Sequence, residues 1–152
     1  MSETLRDRLI REEGLELFPY QDNSTNKIWT IGVGHNMEAD PPMFARLTEY
    51  QQIGISKDYA YQLLDADIKN ATDNLIQALP WATNLDEARL SVLIDMSFNM
   101  GILKLLTFHN TLNDIKNGNY ESAAERLEKS DWATEVGQRA TNLIRILRTG
   151  EM

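Results

Sequence analysis

The segment from Ser56 to Pro80 constrains the fold of this chain more than any other. Ala60, Leu63, Leu64, Ala71, Leu75 and Leu79 recur along it at helical period, Ser56 is a good N-cap, and Pro80 closes the run. At 1.5 Å per residue such a helix spans roughly 35 Å. For a chain of 152 residues that is long, and the obvious architecture is a strut over about residues 57–79 that joins two lobes.

The two flanks of the strut differ in kind. Before it, residues 3–13 read as a first helix with Leu5, Leu9 and Ile10 on one face, and 18–20 and 28–33 read as short strands. Pro41-Pro42 is expected to break regular structure beyond those strands. After Pro80 the pattern is helical throughout. Asp86 caps a segment carrying Ala88, Val92, Leu93 and Met96 on more than one face, the expected buried centre, which Gly101 ends. Shorter helices come next over 110–116, closed by Gly118, over 121–129, and over 138–147, closed by Gly150. The expectation is an α+β, mainly α fold in one domain over residues 1–152. It has a small sheet lobe over about 14–58 and a helical lobe over about 80–152 with helix 3–13 packed on it, enclosing a cleft suited to a ligand.

Composition permits such a core without staples: 42% of the residues are hydrophobic, and a chain of this length buries about two-thirds of its unfolded surface. With no cysteine there is no disulfide and no thiolate metal site, which fits maturation in a reducing cytoplasm. The N-terminal residues lack an apolar run of signal-peptide length, and no stretch is apolar for long enough to span a bilayer, so export is expected to need another protein. His35 and His109 are not spaced with carboxylates as metal ligands, and neither metal nor cofactor is expected. Lys and Arg number 15 against 23 Asp and Glu, a net charge of −8 that argues against nucleic acid as a partner.

The chemistry is concentrated near the N-terminus. Glu13 sits where the first helix should stop, because Gly14 is the residue with which a helix turns out of its last turn. A carboxylate there faces the negative end of the helix dipole and parts with its proton less readily, as a general acid requires. Asp22, past Pro19 in a turn, is expected to be more solvated and ionised, and Thr30 is close by in sequence. On their own, each has a plainer reading: Glu13 as one of several surface acids beside Glu12, Thr30 as a β-branched strand residue.

Glu13-Gly14, Tyr20, Asp22 and Thr30-Ile31-Gly32-Val33-Gly34-His35 together resemble the catalytic signature of the phage-type (T4-like) lysozymes, glycoside hydrolase family 24. Trp132, Gln138-Arg139-Ala140 and Arg148-Thr149-Gly150 are similar to that family's C-terminal signature. Phe98-Asn99-Met100-Gly101 and Phe108-His109-Asn110 fall between them in the expected order. The resemblance covers nearly the whole chain. It implies hydrolysis of the β-1,4 bond between N-acetylmuramic acid and N-acetylglucosamine in bacterial peptidoglycan, with Glu13 protonating the leaving oxygen and Asp22 and Thr30 holding the attacking water. Such a reaction inverts, with carboxyl groups roughly 6.5–9.5 Å apart. It further implies sugar contacts at Phe98 and, where the family has other residue types, at Asn36, Thr111 and Arg126. His35 would be structural, bound to a buried acid or backbone group, and Arg139 would pair with the catalytic glutamate across the cleft. The biological expectation is a monomeric endolysin that waits in the host cytoplasm until a holin opens the membrane to the cell wall. A lytic transglycosylase and a catalytically inactive peptidoglycan binder are the alternatives.

The loop between Asp22 and Thr30 departs from that pattern. It is longer by about two residues than expected and lacks a glycine, so its turn is expected to rely on Asn23 or Asn26. Near the other end, Arg126, Lys129, Arg139, Arg145 and Arg148 form either a local basic patch or a set of cations paired with neighbours such as Glu125, Glu128 and Glu135.

Overall fold

Thr4 starts the first helix: its hydroxyl accepts from the Asp7 N–H while the Asp7 carboxylate accepts from the Thr4 N–H, a reciprocal cap that leads into α1 (Leu5–Glu13). In this computed structural model, residues 3–152 are described, and the chain divides into two units, Thr4–Lys69 and one built on Asn70–Met152. The division falls inside the long helix α4 (Lys57–Ala78), which starts where expected, with the Ser56 hydroxyl accepting from the Tyr59 N–H. The fold is α+β and mainly helical, as the periodicity indicates. Helix α1 belongs to the unit Thr4–Lys69.

That first unit holds a three-stranded antiparallel sheet in the order β1 (Glu16–Gln21), β2 (Trp29–Gly32), β3 (His35–Asn36). Tyr20 pairs with Thr30 and Gln21 with Trp29, while the register is irregular between Glu16 and Tyr20. Pro19, which has no N–H to give a ladder, sits in that irregular stretch of an edge strand, where a proline is tolerated. Ile31, Met37, Met43 and Tyr50 form the buried core, with Trp29, Leu47, Ile55 and Leu63 packed on it. Trp29 is thus hairpin packing. Helix α4 comes close to the end of β2, since a Cβ on Gly32 would stand 3.4 Å from that of Ala60.

Pro41-Pro42 does not break this region. The prolines occupy the first turn of α2 (Pro41–Phe44), where their missing N–H groups have no helical partner in any case, and the Asp40 side chain caps that turn through the Met43 N–H. Helix α3 (Leu47–Ile53) comes next.

The second unit is built around α5 (Glu87–Met100), capped by Asp86 as expected and buried at Ala88, Ser91, Val92, Leu93, Ile94, Asp95, Met96 and Ser97. A side-chain run this apolar on several faces belongs at a centre. Around it come α6 (Ile102–Leu105), α7 (His109–Lys116), α8 (Tyr120–Glu128), α9 (Asp131–Val136) and α10 (Gln138–Thr149). Helix α9 is not among the helices that periodicity indicates. It is one short segment capped by the Ser130 hydroxyl and stopped by Gly137, and it buries Trp132, whose indole N–H donates to Asn99.

The end of α10 is held from outside. Arg89 Nε donates to the Leu147 carbonyl at 2.7 Å and Nη2 to that of Arg148 at 3.1 Å, and the guanidinium lies 3.7 Å from the centre of the Tyr120 ring. A cation at a helix C-terminus satisfies carbonyls that have no partner within the helix and complements the dipole. Arg89→Ala is therefore expected to lower the unfolding free energy by about 1–3 kcal/mol. Urea titration of both proteins would measure the change, and a difference under 0.5 kcal/mol, roughly the noise of such a comparison, would refute the role.

Candidate functional site

Glu13 is the last residue of α1, and Gly14 ends the helix as anticipated, at φ +77° with its N–H on the Ile10 carbonyl. The Glu13 side chain lies against Gly34. A Cβ built there would stand 3.0 Å from Oε2 and 3.1 Å from Cδ, and Gly34 is also at φ +66°. Both space and backbone thus demand glycine where the carboxylate is seated. The second glutamate has a different fate: both carboxylate oxygens of Glu12 are shielded from solvent. The helical period separates the two by about 100°.

The hairpin brings Asp22 and Thr30 into the same unit. Tyr20 faces Thr30 across the strands, and Asp22 lies two residues beyond Tyr20, so strand alternation puts the three on one face. Ile28 binds them together. Its N–H donates to Asp22 Oδ1, and its carbonyl accepts both the Asp22 N–H and the Thr30 hydroxyl, at 2.9–3.0 Å. Thr30 itself is buried. Burial works to raise the Asp22 pKa, but hydrogen bonds from the Ser24 hydroxyl and from the Ile28 and Ser24 N–H groups, with the charge of Lys27, outweigh it and hold it below the usual carboxylate value. Asp22 is ionised at neutral pH. Burial pushes the Tyr20 phenol up, and the negative charges of Glu13, Glu16 and Asp22 push it the same way, so those carboxylates share a neutral phenol as neighbour.

The left-handed residue of the long loop is Lys27, at φ +51°, and not Asn23 or Asn26. Asp22 accounts for the difference. Its Oδ1 accepts from the Ser24 N–H and hydroxyl while the Lys27 N–H bonds to the Ser24 carbonyl, so the reversal closes around Asp22 and falls one residue later.

His35 is held between two acids. Nδ1 stands 2.7 Å from Asp67 of α4 and Nε2 2.9 Å from Asp40. Burial lowers its pKa, yet the hydrogen bonds and charges of the two carboxylates prevail and raise it above the ordinary imidazole value. Asn36 is exposed and caps the turn Met37–Ala39, its Oδ1 accepting from the Ala39 N–H.

In the other unit, Arg139 of α10 engages Asp95 of α5, with Nε 3.0 Å and Nη2 2.9 Å from Oδ1, and Asp95 is wholly buried. Phe98 comes one turn after Asp95 and is half-buried. Thr111 and Arg126 come together at a cavity of about 410 Å³ that Phe108, His109 and Lys129 also line. Arg126 is held there by Asp114, Nε to Oδ2 at 2.8 Å. Another cavity, about 580 Å³ beside Ala140, Ile144 and Arg145, contains none of the expected site residues. Of the basic cluster, Arg148 pairs with Glu121 and Glu128 and Arg126 with Asp114. Two residues at the site, Gly34 and Ser24, do not stand out as functional from residue type alone. Gly34 was legible as a second glycine beside the histidine, whereas nothing in the sequence marks Ser24.

Among known protein families, residues 10–149 match the one described as phage lysozyme. The chain belongs to the phage lysozyme family. It is 27% identical to "Probable T4-type lysozyme 1" of Dictyostelium discoideum over all of this chain and 98% of that protein, and equally to "Probable T4-type lysozyme 2" of the same organism. It is also 26% identical to the "Pre-baseplate central spike protein Gp5" of Enterobacteria phage T4, with 98% of this chain matching 28% of that one. Among the described residues, this lysozyme-family chain has no helix long and apolar enough to cross a membrane.

The His35 geometry sets a pH dependence. A raised folded pKa means that the pairing contributes fully below the unfolded value of about 6.5 and is lost as pH rises through the folded value. The melting temperature of the wild type should fall between pH 6 and pH 9, and His35→Gln should flatten that slope. Equal slopes in the two proteins would show that His35 does not carry it.

Proposed function

We propose that this chain is a muramidase, hydrolysing the β-1,4 bond between N-acetylmuramic acid and N-acetylglucosamine with inversion. The observation that carries the reading is the division of labour at Asp22: three hydrogen bonds converge on Oδ1, and among the described residues none is made to Oδ2. Oδ2 is the oxygen that takes a proton from water. The Thr30 hydroxyl spends its hydrogen on Ile28 and keeps its lone pairs for the other hydrogen of the same water. With both hydrogens engaged, the water's own lone pair is directed at the anomeric carbon. Glu13, seated on Gly34, gives its proton to the leaving oxygen as the C–O bond breaks, and solvent then returns both carboxyl groups to their starting states. An ionised Asp22 and an intact Thr30 favour this over transglycosylation, which needs one carboxyl group and no water, and over an inactive binder.

The biological setting that fits is an endolysin: a monomer in the host cytoplasm, reaching peptidoglycan when a holin permeabilises the membrane. Asn36, Phe98, Thr111 and Arg126 are the proposed sugar contacts, with Thr111 and Arg126 supported by the cavity they share.

Two outcomes are expected on purified peptidoglycan. Glu13→Gln lowers turnover by at least about a hundredfold, the usual scale for a lost general acid, while Glu12→Gln keeps most activity. The reverse order would place the acid on Glu12. The first reducing sugar formed should be the α-anomer by NMR; a β-anomer would exclude Asp22 as the water's base, and an anhydro product would indicate a transglycosylase.

Charge sets a further expectation. At −8 the chain repels an anionic wall, and the pairing of Arg126, Arg139 and Arg148 with acids leaves little of the basic cluster to oppose that repulsion. Moderate salt should first raise activity, as the Debye length falls from about 30 Å at 0.01 M to about 10 Å at 0.1 M. A monotonic fall, on substrate whose swelling is controlled, would show that local cations govern binding.

A further inference from the structure

The loop from Asn23 to Lys27 stands exposed, yet one side chain in it reaches back to the carboxylate of Asp22. The Ser24 hydroxyl donates to Asp22 Oδ1 at 2.5 Å, shorter than the two backbone hydrogen bonds to that oxygen, from Ser24 and Ile28, both 3.0 Å. The backbone pair alone would close the turn. A third donor on the same oxygen has a further effect, because a carboxylate that can rotate about its Cβ–Cγ bond exchanges Oδ1 for Oδ2, and each donor confined to Oδ1 opposes that exchange.

We propose that Ser24 is a positioning residue of the hydrolytic reaction, fixing the Asp22 carboxylate by its hydroxyl so that Oδ2 alone meets the water. The role rests on the muramidase reading, in which Asp22 is the base, and extends it to a residue outside the recognised signature. Short charge-assisted hydrogen bonds of this kind are the strong ones, and they favour the ionised acid. The other groups facing this carboxylate are Lys27 on the loop and Tyr20 on β1, whose phenol also feels Glu13 and Glu16. The Ser24 hydroxyl donates to Asp22 and not to Lys27 or Tyr20, so its removal acts first on the Asp22 carboxylate.

The test uses the full chain, wild type against Ser24→Ala and Ser24→Thr, with two readouts. Carbon-detected NMR tracks the Asp22 carboxyl through its titration, and steady-state rates on purified peptidoglycan give kcat, KM and the acid limb of the pH profile. In Ser24→Ala the Asp22 midpoint should rise by roughly one pH unit, the tenfold change in proton affinity that one such hydrogen bond represents. The acid limb of kcat should move with it, kcat at its plateau should fall by roughly tenfold for a less well-aimed base, and KM should hold. Ser24→Thr, which keeps the hydroxyl, should restore all of these. If the limb and the plateau stay at wild-type values, Ser24 closes a loop and nothing more, even where the NMR midpoint moves. A wild type that releases no reducing sugar would instead sink the muramidase reading, and this role with it, while the titration still reported whether the hydrogen bond exists.

Discussion

The arrangement at the N-terminal end of the chain depends on the hydrogen bonds that gather at Asp22. A hairpin loop without glycine has few ways to reverse, and here the reversal is organised by a carboxylate that accepts from Ser24 and from Ile28 across the turn. The same contacts fix the strand register next to it, because the Asp22 N–H and the Ile28 carbonyl close the ladder that begins at Gln21 and Trp29. The consequence for chemistry is that the backbone bonds that fold the loop also hold the proposed base, and the Ser24 hydroxyl adds a third bond to the same oxygen. Pre-organisation of this sort lowers the reorganisation that accompanies reaction.

A second constraint comes from the tight turn between β2 and β3. Gly32 and Gly34 both lie at positive φ, and they lack side chains where others press in, that of Ala60 against the first and that of Glu13 against the second. The next residue, His35, points its ring between Asp67 and Asp40. One residue after the seat of the proposed acid, therefore, the chain is tied to α4 and to the start of α2. The signature Thr-Ile-Gly-Val-Gly-His is in this sense one mechanical unit: a threonine tied to Ile28, two glycines for close approach and an anchor that keeps them in place.

Elements whose stop and start signals are local were legible in the sequence. Gly14 ends α1, Ser56 and Asp86 open α4 and α5, and Gly150 closes α10, because each signal is a single residue meeting its own backbone. Those that depend on context were not. Pro41-Pro42 reads as a break unless Asp40 is known to cap it, and α9 spans six residues with too few apolar positions to display a period. The left-handed angle fell on Lys27 because the side chain of Asp22 decides where the turn closes, and side-chain acceptance from a loop has no signature in residue order. In the site, Glu13, Asp22 and Thr30 were recognisable as residue types at fixed spacing, whereas the seating of Glu13 on Gly34 and the grip of Ser24 on Asp22 are facts of packing.

Arg139 brings out how a resemblance and a structure address different questions. Family likeness assigns this arginine to the catalytic glutamate, while in the structure its guanidinium is held by Asp95, a carboxylate with no solvent exposure. Taking both charges out of water is costly, and a buried pair of this kind is worth little net stability, but removing either partner strands the other. Asp95 and Arg139 thus enforce each other: the arginine must be present to neutralise the acid on α5, and the acid fixes where α10 can present the arginine.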